Sequence, residues 1–394
     1  MVFNWLDVVI CVVLLTVFIF GLRRGFLLTL GDMLGLVLGA VAAFFAIPWV
    51  STFAANPWWR VGLMIAATVV LLALGQALGR AIATKIRRVM NVDFIRAADR
   101  LAGGVLSVFI SAAIIGALAF TTSSMGMPGL SLQIGQSKMI AAIRSATPDA
   151  VTQAISNARS TLVAETIPEF LEPFAPPVPP AEEADWQASE AQLAAAASTA
   201  KVSGTAVECG VNLTGSGFVA APGLVMTNAH VVAGLSSATV EVGKDEVHRG
   251  RVVYFDTDKD IALLRVEDLQ APSLPLASTP LGRGDNAAFI GYPAGGPQQV
   301  RGAVVASRAT VSIADIYGED PGSMSVYQLT ANVAQGNSGG PLVDEQGEVA
   351  GLVFAKSRSD DSVGFALSLS EIQTALRAGA QRTEPLNTGM CLKE

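Results

Sequence analysis

The stretch Gln335-Gly-Asn-Ser338-Gly-Gly-Pro-Leu342 decides how the C-terminal half of the chain folds. A serine hydroxyl is a weak nucleophile at neutral pH and needs a neighbouring base. The glycines around Ser338 permit a tight turn whose backbone N–H groups converge on one point. We therefore predict that Ser338 is a nucleophile and that the amides of Gly336 and Ser338 form an oxyanion hole.

A histidine in a second stretch is the predicted base. The segment Val225-Met-Thr-Asn-Ala-His230 runs from an apolar, strand-like portion to an imidazole that can accept the serine proton. The chain contains two histidines. The other, His248, lies in a polar run and is predicted to be a solvated loop residue.

A third stretch, Asp256-Thr-Asp258-Lys-Asp260-Ile-Ala-Leu-Leu264, supplies the carboxylate that would orient the imidazole. Asp260 is favoured for this role because it directly precedes an apolar run that a β-strand would bury. Asp256 and Asp258 look like turn residues and remain alternatives.

Short β-branched runs separated by Gly, Pro, Asn and Asp recur from about Val202 onward. Many short strands punctuated by turns are typical of an all-β sandwich or barrel. A helix is predicted near the C-terminus, over residues 371–378. The predicted strands begin at Gly217, Leu224, Ala238, Arg251, Ile261, Val349 and Val363.

The N-terminal third has a different composition and predicts a membrane domain over residues 1–122. The whole chain is 51% hydrophobic and 15% charged, with a mean hydropathy of +0.48, which is too high for a wholly soluble protein. Four apolar runs approach the roughly 20 residues that a helix needs to cross a bilayer. These runs are residues 5–22, 26–47, 61–78 and 101–120.

The basic residues predict the orientation of these four spans. Eight of the nine Lys and Arg residues in positions 1–137 fall in the first and third gaps between the runs. Basic loops stay in the cytoplasm, so the N-terminus and everything after the fourth run should lie outside. Asp32, within the second run, is either a functional carboxylate or a hydrogen-bonding group inside the helix bundle. Cys11 is predicted to be a small buried residue of the first span.

Residues 123–200 are predicted to be a connector. A loose helical pattern over residues 136–166 is broken by Pro148, and six prolines then fall within residues 168–180. Such a stretch is a semi-rigid spacer and, when exposed, a natural site of proteolysis. An Ala-rich segment at 190–200 predicts a short helix. Residues 138–394 carry 17 basic and 29 acidic residues, so nucleic-acid binding is not expected.

The three stretches resemble the trypsin-like serine proteases of the chymotrypsin fold, and most closely the bacterial HtrA-type branch. The shared blocks are T-N-x-H-V, D-I-A-L-L and G-N-S-G-G-P-L, in the same order. Gly215-Ser-Gly-Phe-Val and Gly291-Tyr-Pro also resemble that branch. The resemblance implies an all-β double β-barrel over residues 201–394, and neither a metal nor a cofactor.

The same resemblance assigns roles to individual residues. It implies that His230 is the general base, that Asp260 orients it and that Ser338 attacks. It places Asn332 at the base of the substrate pocket and Gln335 at its mouth. Because Asn332 is uncharged, a pocket with this residue at its bottom favours a small or medium apolar substrate residue before the cleaved bond, rather than Lys or Arg.

The complete layout resembles the acid-resistance membrane serine proteases of mycobacteria, whose membrane half is of the colicin-V-production (CvpA) type. That family implies a multi-pass protein of the inner membrane with its protease domain in the periplasm. It implies envelope proteins such as peptidoglycan hydrolases as substrates, and a role in acid and oxidative stress. It also implies a disulfide, for which Cys209 and Cys391 are the external candidates, although two independent thiols remain an alternative. Self-cleavage in the connector or just before Val202 is a further hypothesis.

Two other classes of function fit the sequence less well. The helical region could be a transport or scaffold module with the C-terminal domain as a regulatory binding unit, but a pure binder has no need of all three catalytic residues. A lipase or esterase of the α/β-hydrolase class is disfavoured because its residues run Ser–Asp–His along the chain. The sequence predicts no oligomeric state.

Overall fold

The computed structural model describes residues 4–50, 57–89, 93–124, 133–148, 150–154, 169–170, 186–206, 211–243, 246–319, 322–390 and 392. The chain divides into two compact units, Met1–Gly116 and Ala117–Glu394.

The first unit is built from four apolar helices. Each contains a segment of 18 to 23 residues that is long and apolar enough to cross a bilayer, which confirms the four predicted spans. The third such segment, Ala66–Arg87, lies further along the chain than the predicted run, because its helix continues without a break to Val89. The helices are α1 Trp5–Arg24, α2 Phe26–Val50, α3 Pro57–Val89 and α4 Asp93–Ser124.

Helices α2 and α3 pack through opposing glycines. A Cβ atom at Gly35 would collide with the carbonyl oxygen of Gly75, and one at Gly79 would collide with that of Gly31. A Cβ at Gly39 would lie 2.5 Å from the carbonyl oxygen of Leu71. Small residues spaced four apart therefore let the two helix backbones approach each other closely.

Residues before the first barrel belong in part to the protease fold. They form α5 Lys138–Ala146, the two-residue strand β1 Glu169–Phe170 and α6 Glu190–Ala195. A capping box between Ser189 and Gln192 begins α6. The same two side chains donate to the carbonyl oxygens of residues 345 and 344, at 2.8 and 3.1 Å. The Ala-rich helix is shorter than predicted, because the next strand already begins at residue 199.

Six antiparallel strands form the first barrel, in the closed order β2-β3-β4-β7-β6-β5. The one-turn helix α7, Ala229–Val232, follows β4. Small and β-branched side chains such as Val202, Val225 and Val240 fill the interior. The strands are β2 Thr199–Ala206, β3 Val211–Ala221, β4 Leu224–Thr227, β5 Ala238–Val242, β6 Glu246–Asp256 and β7 Ile261–Val266.

The second barrel follows the order β12-β11-β8-β9-β10-β13, and a further pairing of β13 with β12 closes the ring. Strand β1 adds to β12 in parallel, and α8 Leu369–Gly379 follows β13. The two barrels confirm the predicted double β-barrel. The strands are β8 Asn286–Gly291, β9 Gln299–Ile313, β10 Gly322–Thr330, β11 Pro341–Val343, β12 Val349–Ser357 and β13 Val363–Ser368.

A hydrophobic cluster joins the two barrels. Phe218 and Met226 of the first barrel lie in it together with Ile290, Leu352 and Phe365 of the second, and each of these side chains is fully or almost fully buried. The loops at the barrel junction are therefore held on a rigid base.

The glycine contact between α2 and α3 gives a testable prediction. In Gly75→Leu the side chain must enter the backbone contact with Gly35, and overpacking of this kind costs about 1–3 kcal/mol. We expect a lower unfolding temperature for the full-length protein in detergent, measured by intrinsic fluorescence. Ala73→Leu on the exposed side of the same helix is the matched control and should stay near wild type. Equal unfolding temperatures for the two variants would contradict the packing argument.

Candidate active site

His230 and Asp260 contact each other where β4 ends and β7 begins. His230 lies in α7, Asp260 directly precedes β7, and these strands are neighbours in the first barrel. His230 Nδ1 lies 2.7 Å from Asp260 Oδ2, and the His230 backbone N–H donates to Asp260 Oδ1 at 2.9 Å. Both side chains are buried. With Nδ1–H donating to the carboxylate, Nε2 is left as the nitrogen that can accept a proton.

The backbone of Asp260 has a conformation that aims the carboxylate. Its φ is +53°, in the left-handed region that aspartate tolerates better than most residues. The buried side chain of Asn228 donates from Nδ2 to the Asp260 carbonyl oxygen at 2.8 Å. Asn228 thereby stabilises the turn, a role for which its sequence context offered no signal beyond its place two residues before His230.

The two alternative carboxylates have other roles. Asp256 accepts a hydrogen bond from Tyr254 Oη at 2.9 Å and one from the Lys259 backbone N–H at 2.9 Å, so it caps the turn. Asp258 is exposed. Of the three candidates, Asp260 is the one that the fold brings to the imidazole.

The prediction for His248 is wrong. This residue lies within β6, half-buried and paired with Val240, and its Nε2 is 3.6 Å from the Glu246 carboxylate. Its polar neighbours suggested a loop, but they belong to the part of β6 that pairs with β5.

The loop around Ser338 leaves two backbone donors free. Gly336 has a φ of +89°, and Gly339 one of +84°. The Ala294 N–H donates to the Gln335 carbonyl at 2.6 Å, and the Gly340 N–H donates to the carbonyl of residue 337 at 2.9 Å. In a trans peptide the C=O and N–H point in opposite directions, so the amides of Gly336 and Ser338 turn away from these contacts. Within the described parts of the chain, neither amide donates to the protein.

The side chain of Ser338 is also without a partner. It is buried, and its Oγ makes no hydrogen bond to any residue that the structure describes. A Cβ atom at Gly215 would lie 2.6 Å from Val231 Cγ2 and 2.9 Å from the Ser338 carbonyl oxygen. The Ser338 loop therefore lies against the segment that carries His230. A nucleophile, two free amide donors and an oriented imidazole are what acyl transfer to a serine requires.

The two residues predicted to form the substrate pocket differ in their surroundings. Asn332 is exposed and lines a cavity of about 600 Å³ together with Trp186, Thr330 and Ser362, but without any of the three residues above. Gln335 is half-buried and fixed through its carbonyl. The role of Asn332 as the pocket base therefore stays a prediction.

The cysteine predictions have different outcomes. Cys209 and Cys391 lie outside the described residues, so the disulfide stays a prediction. The tail that leads to Cys391 nevertheless lies against the first barrel, because Thr388 Oγ1 donates to the Leu235 carbonyl at 2.8 Å. The prediction that Cys11 is buried is wrong, because the other described residues leave it exposed on α1.

Family models match both halves of the chain. The model described as "Trypsin-like peptidase domain" matches residues 215–352, and that described as "Colicin V production protein" matches residues 6–148. Together they agree with a membrane unit that is followed by a protease unit.

Curated relatives and a solved structure extend this agreement. Serine protease Rv3671c of Mycobacterium tuberculosis (strain H37Rv) is 34% identical over 405 residues, which is 99% of each chain. Putative serine protease HhoB of Synechocystis is 34% identical over 169 residues, covering 41% of this chain and 38% of that protein. The crystal structure of the active form of the Rv3671c protease is similar with a TM-score of 0.53 at 36% identity, covering 58% of this chain and 100% of that chain. The chain therefore belongs to the trypsin-like serine protease family of which Rv3671c is a member.

Proposed function

We propose that this serine protease uses His230, Asp260 and Ser338 as its catalytic triad and the amides of Gly336 and Ser338 as its oxyanion hole. The observation that carries this assignment is the 2.7 Å contact between His230 Nδ1 and Asp260 Oδ2. The backbone N–H groups of Gly336 and Ser338, which donate to no described residue, also support it.

The proposed reaction proceeds through an acyl-enzyme. His230 Nε2 takes the hydroxyl proton as Ser338 Oγ forms a bond to the peptide carbonyl carbon, and the two amides hold the resulting oxyanion. The imidazolium then gives its proton to the leaving amine as the C–N bond breaks. Water repeats the sequence on the ester, which releases the acid product and restores the hydroxyl. The buried Asp260 carboxylate stabilises the imidazolium throughout.

The site of action in the cell is proposed from the membrane unit. The positive-inside pattern supports a protease unit on the outer side of the inner membrane, so that proteins of the cell envelope are its substrates. The resemblance to mycobacterial acid-resistance proteases favours peptidoglycan hydrolases as substrates and a function in acid and oxidative stress. A disulfide between Cys209 and Cys391 would tie the C-terminal tail to the first barrel in this oxidising compartment.

Self-cleavage forms part of the proposal. The proline-rich composition of residues 168–180 is typical of an exposed spacer. A cut just before Val202 would instead fall within β2, which pairs with both β3 and β5 in the first barrel. The connector is therefore the favoured location. The substrate residue before the cut should be small or medium and apolar, given the uncharged Asn332.

A second candidate is a membrane scaffold that uses the protease unit as a regulatory binding domain. The burial and contact of His230 and Asp260 disfavour it, because a binding surface does not need an imidazole that is oriented by a buried carboxylate.

The triad assignment predicts a large loss of rate in Asp260→Asn. An amide at this position favours the wrong imidazole tautomer, and kcat should fall by about 10⁴-fold. The measurement is hydrolysis of an unfolded protein substrate by the full-length enzyme in detergent. Asp258→Asn removes a nearby exposed carboxylate and should retain the wild-type rate. A comparable loss in both variants would contradict the assignment.

The location and the self-cleavage are tested together in cells. New protein N-termini are labelled and compared between wild type and Ser338→Ala, at pH 5 and pH 7. We expect N-termini that depend on Ser338 within the proline-rich part of the connector, residues 168–180, and in envelope proteins. Cuts confined to cytoplasmic proteins would contradict the proposed orientation, and the absence of any Ser338-dependent cut would favour the scaffold function.

A further inference from the structure

The hydroxyl of Ser216 contacts the loop that forms the oxyanion hole. Ser216 lies on β3 and is fully buried. Its Oγ donates to the Gly336 carbonyl at 2.6 Å and accepts from the Tyr292 N–H at 3.0 Å. A hydroxyl has a single proton, so these two contacts fix the direction in which it donates.

The backbone of Ser216 connects the two halves of the site. Its N–H donates to the Ser338 carbonyl at 2.7 Å, and its carbonyl accepts from Thr227 Oγ1 at 2.6 Å. Thr227 ends β4, three residues before His230. One residue thus contacts the nucleophile loop and the strand that leads to the base.

The surroundings of the Ser216 hydroxyl are rigid. A Cβ atom at Gly291 would lie 2.9 Å from Ser216 Oγ, so the absence of a side chain there makes room for the contact. Tyr292 is anchored through its Oη, which donates to the Thr199 carbonyl at 3.2 Å. Burial, and to a smaller extent the Glu241 carboxylate, raises the pKa of Tyr292 above its ordinary value, so that the phenol remains a donor.

We propose that Ser216 is a positioning residue for the oxyanion hole, an inference that rests on the function proposed above. The Ala294 N–H fixes the peptide before Gly336, and the Ser216 hydroxyl fixes the peptide after it. Without the hydroxyl the Gly336 carbonyl is left unpaired in a buried place. Glycine has wide conformational freedom, so the residue can then rotate and take its N–H away from the nucleophile.

The test is the rate at which a fluorophosphonate labels Ser338 in the full-length protein in detergent. The phosphonate oxygen occupies the oxyanion hole in the adduct, so its formation reports the hole directly. We expect Ser216→Ala to lower the labelling rate constant by 10- to 100-fold, to lower kcat similarly and to leave KM within about twofold. Ser216→Thr keeps a hydroxyl, so its labelling rate constant should lie between those of Ser216→Ala and the wild type.

Ser203→Ala is the matched control. Ser203 is also fully buried in the first barrel, and its Oγ has no partner among the described residues, so its loss should not change the rate constant. A purely structural role for Ser216 would reduce the labelled fraction but not the rate constant, and that result would overturn the proposal. If Ser216→Ala does not fold, Ser216→Cys supplies the test, because its weaker donor should give an intermediate rate. A wild-type rate constant in the cysteine variant would also overturn it.

A second inference comes from the membrane unit, where all four helices line a cavity of about 330 Å³. Asp32 in its wall is already paired, because Arg80 donates to both carboxylate oxygens, at 2.9 and 2.8 Å. This contact agrees with the interpretation of Asp32 as a hydrogen-bonding group inside the helix bundle. The residues that line the cavity are Val17, Phe20, Gly21, Arg24, Thr29, Asp32, Gln76 and Ser107.

Hydrogen-bond donors are left over in this cavity. Arg24 Nη1 is 3.6 Å from Asp32 Oδ2, which is an ion pair but too long for a hydrogen bond. Across the described residues, the side chains of Arg24, Gln76 and Ser107 make no hydrogen bond. These three groups come from α1, α3 and α4. Polar and charged side chains within membrane spans mark functional positions, and the Arg24 side chain, which is 61% exposed, is open to a ligand.

We infer that this cavity binds a phosphate group, either that of an anionic lipid or free inorganic phosphate. Since Arg80 neutralises Asp32, the charge of Arg24 is in excess and favours an anion. Gln76 and Ser107 add neutral donors for the phosphate oxygens. Val17 and Phe20 supply an apolar wall beside them.

The test is the unfolding temperature of the full-length protein in neutral detergent, with added phosphatidylglycerol, phosphatidylcholine or inorganic phosphate. Stabilisation by several degrees with phosphatidylglycerol alone identifies a lipid headgroup, and stabilisation with inorganic phosphate as well identifies a free phosphate. Arg24→Gln should abolish the effect. Arg23→Gln removes the same charge from the neighbouring position, which does not line the cavity. This variant should still be stabilised. Equal losses in the two variants, or no stabilisation of the wild type, would overturn the inference.

Discussion

The antiparallel pairing of β4 with β7 is the constraint on which the site depends. It sets Thr227 opposite Ala262, so the segment that leaves β4 and the turn that enters β7 meet at one place. The contact between His230 and Asp260 follows from this register, because a slip of one residue would exchange the two faces of a strand. The barrel is closed, which opposes such a slip. The contact of Asn228 with the turn and the left-handed backbone conformation of Asp260 then bring the carboxylate to the imidazole.

The parts of the fold that were predicted correctly are those with a local signal. The four spans are runs of apolar residues, and the strands that were predicted are short β-branched runs between turn residues. These are five strands of the first barrel, β3 to β7, and β12 and β13 of the second. His230, Asp260 and Ser338 each stand in a stretch whose neighbours indicate a strand end or a tight turn. Their proximity in space was implied by the resemblance to a protease family and not by any one stretch.

The contacts that were not predicted join residues that are far apart in the sequence. Ser216 was noted within a family block, but its partners Gly336 and Tyr292 lie 120 and 76 positions away. Arg80 is 48 positions from Asp32. Such pairs depend on the register of strands and the rotation of helices, neither of which is visible in a short pattern. His248 was misplaced for a related reason, since a polar strand can resemble a loop when its pairing is unknown.

Glycine has a common function in the two units. Between α2 and α3 the paired glycines let the backbones approach, and Asp32 and Arg80 lie on these same two helices. In the protease unit Gly339 leaves room for the Ser216 carbonyl, since a Cβ there would collide with it. In the protease unit the missing side chain allows polar groups to come together in a buried place, where hydrogen bonds are strong and an unpaired group is costly. A larger residue at such a position would therefore destabilise a polar contact as well as the packing.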